Sequence, residues 1–239
     1  MNFVNVYDDA RRAESYARLE FPGTYYLAYR DIPRILKKYS AGKKALDFGC
    51  GTGRSTRFLK NLGFDAVGAD ISAGMIKKAR EFDLSGKYVL TAKKGLRTFE
   101  RGYYDVITGV FTFDNIPRVK ERTGLLKQLG DLLNNKGIIM LVNSTPEIYV
   151  NEWLSFSTKD FPENKEAKSG DKVKIIMTDV EDKRPVEDIV WFDNEYQSLF
   201  NKAGLKLIET FKPIGKTSEP YVWVNETSIA PWIIYVLKK

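Results

Sequence analysis

From Lys44 onward, short apolar runs alternate with stretches in which apolar positions recur every three or four residues. That alternation predicts strands separated by helices. Lys44–Phe48 carries an acid, Asp47, near its end and reads as a buried strand. Positions 54–62 read as a helix, and 64–69 as a second strand with Asp70 at its tip. Ser72 is a good N-cap for a helix whose Met75, Ile76 and Ala79 share one face. A third strand is predicted at 88–91 and a fourth at Tyr104–Val110, with an exit loop over 111–117. Leu125, Leu129, Leu132 and Leu133 stand at one-face spacing and predict a core helix. Asn134-Asn135-Lys136-Gly137 then turns the chain into a fifth strand at 138–142. After a helix at 193–203 ended by Gly204, the last two strands fall at 205–211 and 229–237. Only turn-like residues join these two, so they are expected to pair antiparallel.

Two segments break the alternation. Positions 8–19 read as a helix, broken by Phe21-Pro22-Gly23; the chain from Thr24 to Tyr39 is aromatic at first and helical after Pro33, a residue favoured in a first turn. The second segment, 144–191, holds Tyr149, Trp153, Phe156 and Phe161 with little helical period, and 173–177 and 186–191 suit a small hairpin. Its length marks it as functional or disordered, and its aromatic content argues for order. It is expected to be a cap inserted over the carboxyl edge of the sheet.

The first two strands frame a glycine-rich turn. A dinucleotide fingerprint spaces its glycines G-x-G-x-x-G so that a helix start meets a pyrophosphate. Here the run is Asp47-Phe48-Gly49-Cys50-Gly51-Thr52-Gly53, with an acid two residues before the first glycine. A carboxylate there disfavours a pyrophosphate and suits an ammonium or sulfonium group, which speaks against a nicotinamide oxidoreductase.

This run resembles the first motif of class I S-adenosylmethionine (SAM) methyltransferases, Asp/Glu-x-Gly-x-Gly-x-Gly, and Asp70 stands where that family binds the ribose. The resemblance is close over 40–143 and looser over the last fifty or so residues; the branch it points to is the small-molecule (type 11-like) one. It implies an α/β, Rossmann-like sheet of seven strands in the order 3-2-1-4-5-7-6, the last strand antiparallel. The layout would be a single domain with a helical lid at 1–42, a SAM-binding core at 43–143, a cap at 144–191 and a closing helix and strand pair at 192–239. It further implies SAM as cofactor, with S-adenosylhomocysteine as product. Asp47, Gly49, Gly51, Gly53 and Asp70 are then expected to bind it, with Ile71 and Met75 beside the adenine. Family members often carry an acid after the third strand; this chain has Ala92, Lys93 and Lys94. Backbone groups of Ala92 and Lys93 are therefore expected to make the adenine contact.

In open α/β sheets the ligand sits beyond the carboxyl ends of the strands, at the switch point between strands one and four. Phe111 is thus expected beside the methyl group and Asn115 beside the acceptor. Asp114 is the candidate catalytic base, the alternative being a helix cap or an orienting partner of Asn115. Tyr149, Trp153 and Phe156 are either acceptor contacts or the cap's own core. The N-terminal helices are either a lid or a cover for the sheet.

Composition narrows the chemistry. The chain has no histidine, which removes catalytic triads, histidine bases and zinc sites of the usual Cys/His kind; no metal site is expected. Its formal net charge is +7, but the lysines are scattered in pairs over many elements, so a solvated surface is favoured over a nucleic-acid stripe. No apolar run approaches the ~20 residues of a membrane helix, and no secretory leader is legible. With Cys50 as the only cysteine, a cytoplasmic enzyme acting on a small-molecule acceptor is the expected reading. The alternatives are an RNA, DNA or protein methyltransferase, or a SAM-binding regulatory module without catalysis.

Overall fold

The computed structural model describes residues 21–91 and 95–239. The helix expected at 8–19 and the adenine contacts expected of Ala92 and Lys93 lie outside the described residues. Helices α1 (Thr24–Arg30) and α2 (Ile32–Tyr39) lead into β1 (Lys44–Phe48), α3 (Arg54–Asn61), β2 (Asp65–Asp70), α4 (Ala73–Phe82), β3 (Lys87–Leu90) and β4 (Tyr104–Val110). The chain continues through α5 (Val119–Leu132), β5 (Leu133–Ser144), β6 (Phe156–Ser157), β7 (Lys172–Met177), β8 (Val186–Ile189), α6 (Asp193–Lys202), β9 (Lys206–Phe211) and β10 (Trp232–Lys238).

Seven strands form one sheet in the order β3-β2-β1-β4-β5-β10-β9. The first five run parallel, and β10 is antiparallel to both β5 and β9. Renumbered within the sheet, this is the expected 3-2-1-4-5-7-6. The central strands are buried on both faces: Ile138 to Val142 of β5 and Ile234 to Leu237 of β10 are enclosed, as strands covered on both sides of a sheet must be. Reversal of order between β1 and β4 opens the switch point where a ligand can enter.

Local signals set several boundaries. Ser72 Oγ accepts the Met75 N–H and caps α4, and Pro33 sits in the first turn of α2. Two expectations shift. The polar run at 134–137 is not a free turn: β5 begins at Leu133, directly after α5, and takes up the extra residues as an irregularity in its pairing between Tyr104 and Val106 of β4. The buried face of α5 is Leu126, Leu129 and Leu132, while Leu125 lies on the rim of a cleft. Leu129 and Leu132 keep the predicted inner positions, and Arg122 and Leu126 complete that face.

Residues 144–191 hold the expected hairpin, β7 paired antiparallel with β8, and β6 adds a third strand beside β7. Buried Glu226 ties this region to α1. Its Oε1 accepts from Thr24 Oγ1 and the Leu154 N–H, both at 2.7 Å, and its Oε2 accepts the Val224 and Asn225 N–H groups. No helix among the described residues is long and apolar enough to cross a membrane.

Candidate functional site

The turn after β1 is pinned from both sides. The N–H groups of Gly49 and Cys50 both donate to the Ala69 carbonyl at the end of β2, at 2.7 and 3.0 Å. Asp70 then straddles the crossover: Oδ2 accepts the Gly51 N–H at 2.9 Å and Oδ1 the Ser72 N–H at 2.8 Å. Gly49 has φ +72°, and a Cβ there would run into the Thr112 side chain at 2.3 Å. The close approach is needed because Thr112 Oγ1 donates to the Phe48 carbonyl at 2.9 Å, tying the exit of β4 to the exit of β1. Gly51, by contrast, has φ +53° and faces open space.

That open space is a cleft of about 860 Å³, lined among others by Gly49, Gly51, Asp70, Ile71, Met75, Phe111 and Asn115. Its make-up suits an adenosine-type ligand: exposed backbone at Gly51, a carboxylate for hydroxyl groups, and apolar Ile71, Met75 and Leu96. Behind it lies a chamber of about 40 Å³, lined by side chains of β4's exit loop, α1, the cap and β10. Phe111 and Asn115 line both cavities.

Phe111 is also the only non-glycine residue with positive φ, +58°, among the described residues. Left-handed backbone at a bulky residue is strained and persists where surroundings enforce it. Here its N–H donates to the Val142 carbonyl at 2.8 Å, its carbonyl accepts from Asn115 Nδ2 at 3.1 Å, and its ring lies 4.6 Å from that of Trp232.

A family model described as a methyltransferase domain matches residues 17–210. The chain belongs to the methyltransferase domain family. The ubiquinone biosynthesis O-methyltransferase of Methylococcus capsulatus is 35% identical to it over 81 residues, 32% of this chain and 34% of that protein. The glycine/sarcosine N-methyltransferase of Halorhodospira halochloris is 32% identical over 144 residues, 58% of this chain and 50% of that protein. The chain thus spans between a third and a half of the length of these two curated relatives. A SAM-dependent methyltransferase structure from Clostridium acetobutylicum superposes with a TM-score of 0.61 at 15% identity, covering 98% of this chain and 96% of that one. That likeness shows the fold the two chains share.

Within the methyltransferase, the residues of the site separate into three groups. Gly49, Gly51, Asp70, Ile71, Met75 and Phe111 meet at the cleft. Asp47 does not line it. Its fully buried carboxylate accepts Ser55 Oγ at 2.6 Å, Thr56 Oγ1 at 2.7 Å and Thr108 Oγ1 at 2.8 Å. Burial pushes its pKa up, the three hydroxyls oppose that, and the charge of Asp70 adds to it. Asp47 acts from beneath, fixing the start of α3 against β4. Gly53 likewise turns away from the cleft; it precedes α3 with φ +82° and packs against Tyr88.

The second group lines the chamber: Asp114, Asn115, Tyr149 and Phe156. Trp153 does not. It is buried in the cap's core, with Nε1 donating to the Ile148 carbonyl at 2.9 Å. Asp114 neither caps α5, whose N-cap is Arg118, nor holds Asn115. Its carboxylate accepts from Asn143 Nδ2 at 3.1 Å, the Ser144 N–H at 3.0 Å and Tyr196 Oη at 3.4 Å, which fastens the β4 exit to the end of β5. Burial raises its pKa; these donors and the charge of Arg122 oppose the rise.

Sequence reading missed the third group. Arg122 is fully buried, its guanidinium 4.3 Å from the ring of Trp191, 4.6 Å from Tyr196 and 5.8 Å from Phe113. Asp188, on β8, faces the chamber and accepts the Tyr149 hydroxyl at Oδ2, 3.1 Å away. Burial and the Asp114 charge push Asp188 up to about 7. One signal for Asp188 was available: it is one of two adjacent acids, with Glu187, inside the hairpin strand Val186 to Trp191.

Proposed function

We propose that this methyltransferase acts on a small-molecule acceptor whose reacting group enters the inner chamber. The observation that carries this is the pair of adjoining cavities that share Phe111 and Asn115: a nucleoside-sized cleft and, beyond that wall, a chamber of about 40 Å³. A chamber of that size admits a functional group rather than a folded macromolecular surface. The curated relatives named above both act, by name, on small molecules, which supports the same reading. The dispersed positive charge gives no stripe for nucleic acid.

When bound, SAM supplies an electrophilic methyl group on a sulfonium. Gly49, Gly51, Asp70, Ile71 and Met75 would hold its nucleoside. The chain's contribution is then largely positional. Holding an acceptor group at the Phe111–Asn115 wall turns a bimolecular encounter into a fixed approach, worth roughly 7–11 kcal/mol of barrier. Residues 144–191, with α1, wall the chamber and limit access of water, the role we assign to this segment as a cap.

The test is product release. The chain should form S-adenosylhomocysteine from SAM with a pool of small-molecule acceptors, and not with total RNA, duplex DNA or unfolded protein. Faster release with any of the macromolecules would overturn the reading.

A further inference from the structure

The chamber has two chemically different walls, and their combination narrows the acceptor. One wall is acidic: Asp188 accepts the Tyr149 hydroxyl, and Asp114 accepts the Ser144 N–H. The other is apolar: four rings, Tyr25, Phe111, Phe156 and Trp232, contact one another at centroid distances of 4.6–5.9 Å, and Ile148, Ile175, Met177 and Val186 complete it. No lysine or arginine lines the chamber; the guanidinium of Arg54, outside the lining, lies 4.9 Å from the Tyr25 ring centroid. The buried guanidinium of Arg122 lies behind Asp114, held by Phe113, Trp191 and Tyr196, none of which reaches the chamber. Asp114 is served from that side and by three hydrogen-bond donors. Asp188 receives only the Tyr149 hydroxyl, at Oδ2; its Oδ1 has no hydrogen-bond partner among the described residues.

Two carboxyl groups around one small cavity repel each other when both are ionised, unless a positive charge joins them. Aromatic faces favour that same charge. Resting on the assignment of the chamber to the acceptor, we propose that the acceptor is an amine, bound as its ammonium form between Asp188 and the ring faces of Tyr25, Phe111, Phe156 and Trp232. An anionic acceptor would be repelled by the acidic wall. A neutral hydroxyl would satisfy a hydrogen bond but place no positive charge opposite Asp188.

The same arrangement provides the proton step that an amine requires. An ammonium has no lone pair, so it first gives one proton to the Asp188 carboxylate. The freed lone pair then forms the N–C bond as the sulfonium C–S bond breaks, and the positive charge passes from sulfur to the methylated nitrogen. The thioether product leaves neutral. The group best placed to receive the proton is Asp188, with Asp114, Tyr149, Arg122 and Tyr196 as the other ionisable groups around it.

The experiment uses the full chain and separates this inference from the reading beneath it. Calorimetry first measures S-adenosylhomocysteine binding; ethylammonium, ethanol and acetate are then titrated into that complex, and SAM turnover is measured with matched amine, alcohol and carboxylate pools. Ethylammonium should bind at least tenfold more tightly than ethanol or acetate, only the amine pool should be methylated, and Asp188→Asn should abolish ethylammonium binding while S-adenosylhomocysteine affinity stays unchanged. Equal binding of ethanol, methylation confined to alcohols, or no ethylammonium binding by a chain that holds S-adenosylhomocysteine would overturn the amine assignment and leave the methyltransferase reading intact. Failure to bind S-adenosylhomocysteine would remove that reading and this inference with it.

Discussion

Tyr149 donates its hydroxyl to Asp188 Oδ2 at 3.1 Å, joining the turn that follows β5 to strand β8 of the cap. Through this bond the segment that interrupts the regular alternation contributes a carboxyl group to the floor of the sheet's carboxyl edge. The acidic side of the chamber is therefore built from two separate parts of the chain, Asp114 after β4 and Asp188 on β8.

The raised pKa of Asp188 gives stability a particular pH slope. Between the ordinary carboxylate value of ~3.9 and its folded value of about 7, the folded chain holds a proton that the unfolded chain has released. Its contribution is thus fully present below pH ~4 and is lost as pH rises through about 7. Thermal melts of wild type and Asp188→Asn across this range should diverge, the variant gaining on the wild type by on the order of 1–3 kcal/mol at the upper end. Parallel curves would show that Asp188 is not held as described.

Asp114 and Asp188 should separate in mutants. Asp114→Asn keeps one acceptor oxygen but places its amide N–H₂ against one of the two donors, Asn143 Nδ2 or the Ser144 N–H, so stability should fall by about 1–3 kcal/mol, read by urea unfolding. Asp188→Asn should be no less stable than the wild type at pH 7 and lose turnover by ~10²–10⁴-fold, the usual range for a removed base. A normal rate in the Asp188 variant would take the base role away from it.

Trp153→Ala tests the cap's core. Removing a buried tryptophan with a bonded indole N–H should cost ~3–5 kcal/mol of stability and leave SAM affinity near normal. A stable variant whose only defect is the Michaelis constant for the acceptor would return Trp153 to the acceptor site.

Much of this was legible in the sequence because it depends on backbone. The glycine run, Asp70 and the Ser72 cap act through N–H and carbonyl groups at fixed spacing, so the cleft followed from residues 44–76. The chamber was less legible. Phe111 and Asp114 were found because the switch point lies at the end of β4, a rule of topology. Asp188 and Arg122 were not, since each meets its partners across long sequence separations: Asp188 with Tyr149, Arg122 with Trp191 and Tyr196. Asp47 shows the opposite error. Its motif position suggested a ligand contact, yet three hydroxyls from α3 and β4 saturate it, and neither Ser55, Thr56 nor Thr108 stood out as a partner in the chain.

Asp70 should be worth at least tenfold in SAM affinity. Its carboxylate already orders the Gly51 and Ser72 N–H groups, and charge-assisted bonds contribute ~1.5–3 kcal/mol each, against ~1.4 kcal/mol per factor of ten. Calorimetry of Asp70→Ala checks this, with a single cooperative melting transition, lowered by loss of the Gly51 and Ser72 bonds, as the control that the chain still folds. An unaltered dissociation constant would place the nucleoside elsewhere.

The most direct measurement is a crystal structure of the chain with S-adenosylhomocysteine. The ribose is predicted at Asp70, the adenine between Ile71 and Met75, and the sulfur at the wall formed by Phe111 and Asn115, facing the chamber. Density for the ligand in the cleft with its sulfur turned away from Phe111, or a nucleoside that leaves Asp70 untouched, would contradict the two-cavity account.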